Sequence, residues 1–87
     1  MLEMRPNCEC CDRDLGNGDP AARICTFECT FCAACAEELF AGICPNCGGD
    51  LVLRPTRPDA ALARVPVSLK RVVRDDRRCL SARAGAV

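Results

Sequence analysis

The chain has 87 residues, ten of them cysteines, and it contains no histidine, tryptophan or tyrosine. A chain this short cannot form two hydrophobic cores, and with only three phenylalanines even one core is thin, so apolar burial alone does not hold the fold. The net charge is zero, but residues 1–50 hold nine acidic and three basic side chains, while residues 51–87 hold nine basic and three acidic ones. Only the second half is therefore a candidate nucleic-acid surface.

The first ten residues, MLEMRPNCEC, contain no apolar run of the length found in a secretory signal peptide. No apolar stretch of about 18 residues occurs either, so we expect no membrane span. These features predict a cytoplasmic protein. Thiols in a reducing cytoplasm stay reduced, and clustered reduced thiols favour metal binding over a disulfide framework.

In chain order, the sequence LGNGDP at residues 15–20 predicts a turn, and ARICTF and DLVLR are the best strand candidates. Between these two segments, apolar residues at helical spacing predict one short helix over residues 33–41, which ends before Gly42. In CPNCGG, Pro45 fixes one backbone torsion, and Gly48 and Gly49 tolerate a positive φ. The elements predict a small α+β fold stabilised by metal.

The predicted metal-binding domain covers residues 1–53, and residues 54–87 form a basic extension that is partly ordered or disordered. Three prolines in the extension favour extended backbone. Its apolar residues could dock on the domain or on a partner; they are Val65, Leu69, Val72 and Val73. Because the extension and the domain carry opposite charge, we expect them to attract each other.

Eight cysteines form four consecutive close pairs: Cys8 and Cys11, Cys25 and Cys29, Cys32 and Cys35, and Cys44 and Cys47. Two residues between cysteines let both sulfurs approach one ion at about 2.3 Å, and two such turns complete a tetrahedron. Four pairs therefore predict two structural Zn²⁺ ions, each held by four thiolates with no position left for water.

Other arrangements of the cysteines remain open. Cys32, Cys35, Cys44 and Cys47 could share one ion, as in two sequential zinc ribbons. The run from Cys29 through Cys32 and Cys35 to Cys44 resembles part of a ferredoxin cluster motif, although its last spacing is too long. Cys10 could replace Cys8 or Cys11 as a ligand. Cys79, flanked by two arginines, is either a reactive thiol or incidental.

The pattern of the eight paired cysteines, with Phe31 before Cys32 and CPNC at its end, resembles a RING finger in which every ligand is cysteine. The stretches MLEMRPNCECC, ECTFCAACAE, CPNCGG and LRPTRP also resemble a family of small bacterial cysteine-rich proteins, domain of unknown function 1272. The RING likeness implies a cross-brace. One zinc would be bound by Cys8, Cys11, Cys32 and Cys35, and the other by Cys25, Cys29, Cys44 and Cys47.

The resemblance does not imply ubiquitin transfer. Ubiquitin ligases usually carry a large aliphatic residue after the first ligand and often a basic residue after the last, whereas this chain has Glu9 and Gly48. No catalytic constellation or phosphate-binding loop is evident, so we expect no enzyme and no small-molecule substrate. The sequence predicts a non-catalytic zinc-binding adaptor with a protein partner. Two alternatives are a nucleic-acid-associated protein acting through its basic tail and a zinc- or redox-responsive thiol protein.

Overall fold

Three short strands form one antiparallel sheet. The computed structural model describes residues 2–85, in which β1 (Ala22–Ile24) lies between β2 (Thr30–Cys32) and β3 (Val52–Leu53). In the sheet register, Arg23 of β1 pairs with Phe31 of β2 on one side and with Leu53 of β3 on the other. The two predicted strand segments contain β1 and β3. The third strand, β2, was not predicted, because its three residues end at a cysteine and resemble a metal-binding turn.

The predicted helix over residues 33–41 contains a wide π-helical turn, Cys35–Leu39. The backbone amide of Phe40 donates to the carbonyl of Cys35 at 3.2 Å, and the amide of Gly42 donates to Ala36 at 2.7 Å. Gly42 ends the turn with a φ of +80°, which glycine adopts without a steric penalty. Cys35 and Ala36 are buried, so this turn places one cysteine in the core.

The C-terminal part of the chain contains two further helices, α1 (Asp59–Arg64) and α2 (Arg77–Gly85), joined by extended backbone. The extended part follows the N-terminal segment. The amide of Ser68 donates to Met4 O at 2.8 Å, and Arg71 pairs with Asp12 at 2.9 Å and Asp14 at 2.7 Å. The basic tail therefore lies against acidic residues of the first half. Residue 1 of the predicted domain and residues 86 and 87 of the predicted extension lie outside the described residues.

The core contains few large apolar side chains. Phe31 is fully buried and its ring meets that of Phe40 edge to face, with 5.1 Å between centroids. Among the described residues, eight of the thirteen in the buried core cluster are cysteines. Sulfur atoms thus occupy the space that large aliphatic side chains fill in most domains, in agreement with the thin core expected from composition.

Arg54 is a buried cation that joins separate segments. Its guanidinium donates to the carbonyl oxygens of Arg5 at 2.8 Å and of Leu15 and Gly16 at 3.0 Å each. Burial lowers the pKa of Arg54, and the charge of Asp19 acts in the opposite direction. The side chain fixes the loops on either side of the first cysteine pair next to the end of β3. Within residues 2–85 no helix has the length and apolar character needed to cross a bilayer.

Candidate metal centre

The first cluster consists of Cys8, Cys11, Cys32 and Cys35, whose sulfur atoms all lie within 4.8 Å of one another. The Sγ atoms of Cys11 and Cys32 are 3.7 Å apart. Four sulfurs bound to one ion at 2.3 Å stand about 3.8 Å apart at the corners of a tetrahedron. The spacing of this cluster therefore fits a tetrahedral thiolate site.

Backbone amides surround the sulfurs of the first cluster. The turn from Cys8 to Cys11, the first knuckle, directs the amides of Cys10 and Cys11 toward Cys8 Sγ at 3.4 and 3.5 Å. The amide of Cys35 donates to Cys32 Sγ at 3.5 Å. Such N–H groups stabilise negative charge on sulfur, which is the form that binds metal.

Three thiols of the first cluster, those of Cys8, Cys32 and Cys35, shift one another's pKa values. Hydrogen bonding to Cys32 raises the pKa of Cys8 to about 11 and also raises the pKa of Cys35. The pKa of Cys32 is lowered, because Cys35 and Cys8 both donate to its sulfur. The thiolate of Cys32 is thus stabilised by neighbouring thiols, whereas Cys8 and Cys35 keep their protons near neutral pH until a cation displaces them.

The second cluster consists of Cys25, Cys44 and Cys47, whose sulfurs also lie within 4.8 Å of one another. The amides of Phe27 and Cys29 donate to Cys25 Sγ at 3.3 Å each. Cys29 is buried, but its sulfur is not within 4.8 Å of all three members. The structure therefore brings together three of the four residues predicted for the second site, with Cys29 next to them.

Cys47 is the most accessible member of the second cluster. A hydrogen bond from the amide of Gly49 lowers the pKa of Cys47 to about 7, whereas burial raises the pKa of Cys25 to about 12 and also raises that of Cys44. A Cβ atom at Gly49 would lie 3.0 Å from Thr26 Oγ1 and 3.4 Å from Cys47 Sγ. A side chain at position 49 would therefore require the Thr26 side chain to shift.

The two clusters take their sulfurs alternately along the chain. The first cluster combines the first and third cysteine pairs, and the second contains members of the second and fourth pairs. This is the crossed order implied by the RING likeness. The sequential order, in which Cys32, Cys35, Cys44 and Cys47 share one ion, is not adopted. The cysteines of the ferredoxin-like run do not lie together either, because Cys32 and Cys35 belong to the first cluster and Cys44 to the second. Which ions the clusters bind stays a prediction.

Cys10 and Cys79 form a disulfide, with 4.5 Å between their Cα atoms. Cys10 is therefore not a member of either cluster, and the interpretation of Cys79 as incidental is wrong. The pairing had one signal in the sequence, because grouping eight cysteines into four close pairs leaves these two unassigned. Their separation of 69 residues concealed the pairing, since nothing local connects them.

Glu9, inside the first knuckle, is 3% exposed. Its Oε2 atom accepts hydrogen bonds from Arg5 Nη1 at 2.7 Å and from the backbone amide of Thr30 at 2.6 Å. A side chain held in this way does not present a docking surface at the position where ubiquitin ligases use an exposed aliphatic residue.

Comparisons with known proteins agree with the resemblance to domain of unknown function 1272. Residues 1–57 match the model of a family described as "Protein of unknown function (DUF1272)". An uncharacterised protein of Rhizobium meliloti (strain 1021) is 61% identical over 74 residues, which cover 85% of this chain and 88% of the relative. No solved structure matches.

Proposed function

The chain belongs to the DUF1272 family of proteins of unknown function, and we propose that it is a non-catalytic protein that binds two structural Zn²⁺ ions and acts as a protein-interaction module. One observation carries the zinc part of the proposal. Four sulfurs from two separate segments lie within 4.8 Å of one another, with one pair at 3.7 Å. Thiolates at tetrahedral spacing are the donor set that zinc prefers.

A structural role for the metal follows from the donor set. Where four protein thiolates bind one ion, no coordination position is left for a water or a substrate, so the ion supplies cohesion rather than Lewis-acid chemistry. In the first cluster Cys8, Cys11, Cys32 and Cys35 would hold the ion. In the second, Cys25, Cys44 and Cys47 would hold it, and Cys29, whose backbone amide donates to Cys25 Sγ, is our candidate for the fourth ligand.

An interaction role is supported by exposed apolar side chains on the edge of the sheet and beside the second cluster. Val52 and Leu53 form the edge strand β3 and are 55% and 62% exposed, and Phe27, next to the second cluster, is 72% exposed. An edge strand has unpaired backbone groups as well as side chains, which suits a partner that adds an extended segment. We propose β3 as the main contact.

The nucleic-acid alternative is less favoured because cations of the tail already have partners within the chain. Arg71 pairs with Asp12 and Asp14, Arg78 with Asp76, and Arg57 donates to two carbonyl oxygens. Phosphate contacts by these side chains would have to replace the internal bonds. We expect weak binding to duplex DNA that fades steeply as salt rises.

Affinity capture with the full zinc-loaded chain tests the proposal. A protein partner should remain bound at about 0.5 M salt, a concentration at which phosphate contacts are largely lost. The double variant Val52→Ser and Leu53→Ser should lose this partner, whereas Leu69→Ser, which changes another exposed side chain, should retain it. Zinc content measured for each variant checks folding. Capture unaffected by the double variant, or tight duplex binding that survives about 0.2 M salt, would overturn the proposal.

A further inference from the structure

We propose that Cys10 and Cys79 are a redox-active pair, a dithiol–disulfide switch that fastens α2 to the first knuckle and is separate from the metal-binding cysteines. The inference goes beyond the proposed function, because it assigns chemistry to two cysteines that lie outside both clusters and are not proposed as metal ligands. The reagents are of one class, thiols and disulfides of low molecular weight or of redox proteins.

The pair joins distant parts of the chain at a sensitive point. Cys10 lies in the first knuckle between Cys8 and Cys11, and Cys79 lies in the first turn of α2. Both members are fully buried. The remaining eight cysteines are free of disulfides and include both clusters, so the pair can change its redox state without removing a sulfur from either cluster.

Apart from the disulfide, the described contacts of α2 with the first half are the packing of the small side chain of Ala82 against the core and the contacts of Arg78. The guanidinium of Arg78 lies 4.8 Å from the ring centroid of Phe40 and donates to Leu39 O at 3.2 Å, with its side chain half exposed. Exposed contacts of this kind contribute little to stability. A disulfide that closes a long loop contributes several times as much, so it is the principal attachment of α2.

Detachment of α2 would uncover a specific surface. Ala82 of α2 forms one wall of a groove of about 490 Å³, whose other walls include Cys11, Cys35 and Leu39. Loss of that wall exposes the apolar side of the first cluster, together with the thiol of Cys10. The switch therefore controls access to the region around one predicted metal site.

The reaction balances as thiol–disulfide exchange. A dithiol reductant gives two electrons and two protons, its own sulfurs join in a disulfide, and the Cys10–Cys79 bond becomes two thiols. In the reverse direction, the Cys79 thiolate attacks a disulfide oxidant and forms a mixed disulfide, and one oxidant sulfur leaves as a thiol. The Cys10 thiolate then attacks the Cys79 sulfur, which restores the Cys10–Cys79 bond and releases the other oxidant sulfur as a thiol.

A structural disulfide and a redox-active one behave differently in a titration. The full zinc-loaded chain is equilibrated with glutathione buffers of increasing oxidised fraction, free thiols are alkylated, and the intact mass and zinc content are measured. We expect one transition of two thiols, mapped to Cys10 and Cys79 by peptide analysis, at constant zinc content. The transition should lie within the range of the glutathione couple.

Hydrogen exchange of residues 77–85 is the second measurement that tests the proposal. Reduction should increase exchange in α2 on the order of tenfold, with strands β1 and β2 unchanged. Cys79→Ser should show fast exchange in both buffers, and Leu80→Ser, an exposed neighbour, should keep the redox dependence of the unchanged chain. The proposal would be overturned by any of three results. The pair does not respond across the glutathione range, other cysteines are oxidised with loss of zinc, or α2 is equally protected in both redox states.

Discussion

The backbone amide of Thr30 donates a 2.6 Å hydrogen bond to the carboxylate of Glu9, and the amide of Glu9 donates to the carbonyl of Thr30 at 2.9 Å. This double link joins the first knuckle to β2, the strand that ends in Cys32. Two sulfurs from the knuckle are thereby placed next to Cys32 by hydrogen bonds that need no metal. The first cluster is consequently partly pre-organised by the fold.

Replacement of Glu9 tests this link. Glu9→Ala leaves the amide of Thr30 and the half-buried guanidinium of Arg5 without the carboxylate, so we expect a loss of about 3 kcal/mol in the free energy of unfolding. Glu9→Gln retains an acceptor oxygen and should lose less. Chemical denaturation at a fixed zinc concentration measures both, with the exposed Glu37→Ala as control. Equal stability of Glu9→Ala and the control would contradict this role.

Arg54 should be more important for stability than its place at the end of a short strand suggests. Arg54→Ala leaves three carbonyl oxygens without their donor, and we expect a loss of about 2–4 kcal/mol in the free energy of unfolding. Arg64→Ala removes an exposed arginine from α1 and should change stability by less than about 0.5 kcal/mol. Similar denaturation midpoints for the two variants would show that the buried bonds to Arg54 are dispensable.

Cys29 decides whether the second site has four protein thiolates. If Cys29 completes the site after a small movement of its side chain, Cys29→Ser should reduce the zinc content from two ions per chain to one, as measured by native mass spectrometry. Cys79→Ser, which alters a cysteine outside both clusters, should keep two ions. Retention of two tightly held ions by Cys29→Ser would assign the fourth position to another group.

Metal binding should depend steeply on pH. The pKa of Cys8 is raised to about 11 and that of Cys35 is also raised in the metal-free cluster, so both thiols are protonated near neutral pH. In the metal-bound form they are thiolates, and the stability that the metal supplies is therefore lost as pH falls. With two protons displaced, apparent affinity should rise at least about a hundredfold per pH unit between pH 6 and 8. Competition with a chelator of known pH dependence measures it, and a flat profile would contradict the ligand assignment.

Local sequence signals predicted the features whose causes are local. The spacing of cysteine pairs, the helical pattern that ends at Gly42, and the positive φ of Gly48 all depend on neighbouring residues, and the structure contains each of them. The sequence leaves two cysteines outside the pairs but does not indicate that they bond, because a bond across 69 residues depends on how the whole chain folds.

The sequence does not predict features that depend on contacts between residues far apart in the chain. Arg54 resembles a solvent-exposed charge in the sequence, and only the packing of three separated loops turns it into a buried donor. The strand β2 was concealed because Phe31 and Cys32 fit both a strand and a metal-binding turn. The crossed order of the clusters came from resemblance rather than from spacing, since spacing alone allows a sequential order as well.

The most direct test of the central claim is the metal content of the purified full-length chain, measured by elemental analysis together with native mass spectrometry. We expect two zinc ions per chain, and removal of both by a strong chelator should unfold residues 8–50, because structural zinc contributes on the order of 10–16 kcal/mol to domains of this kind. Iron in stoichiometric amount, one zinc ion per chain, or a metal-free form that keeps its native amide dispersion would contradict the account.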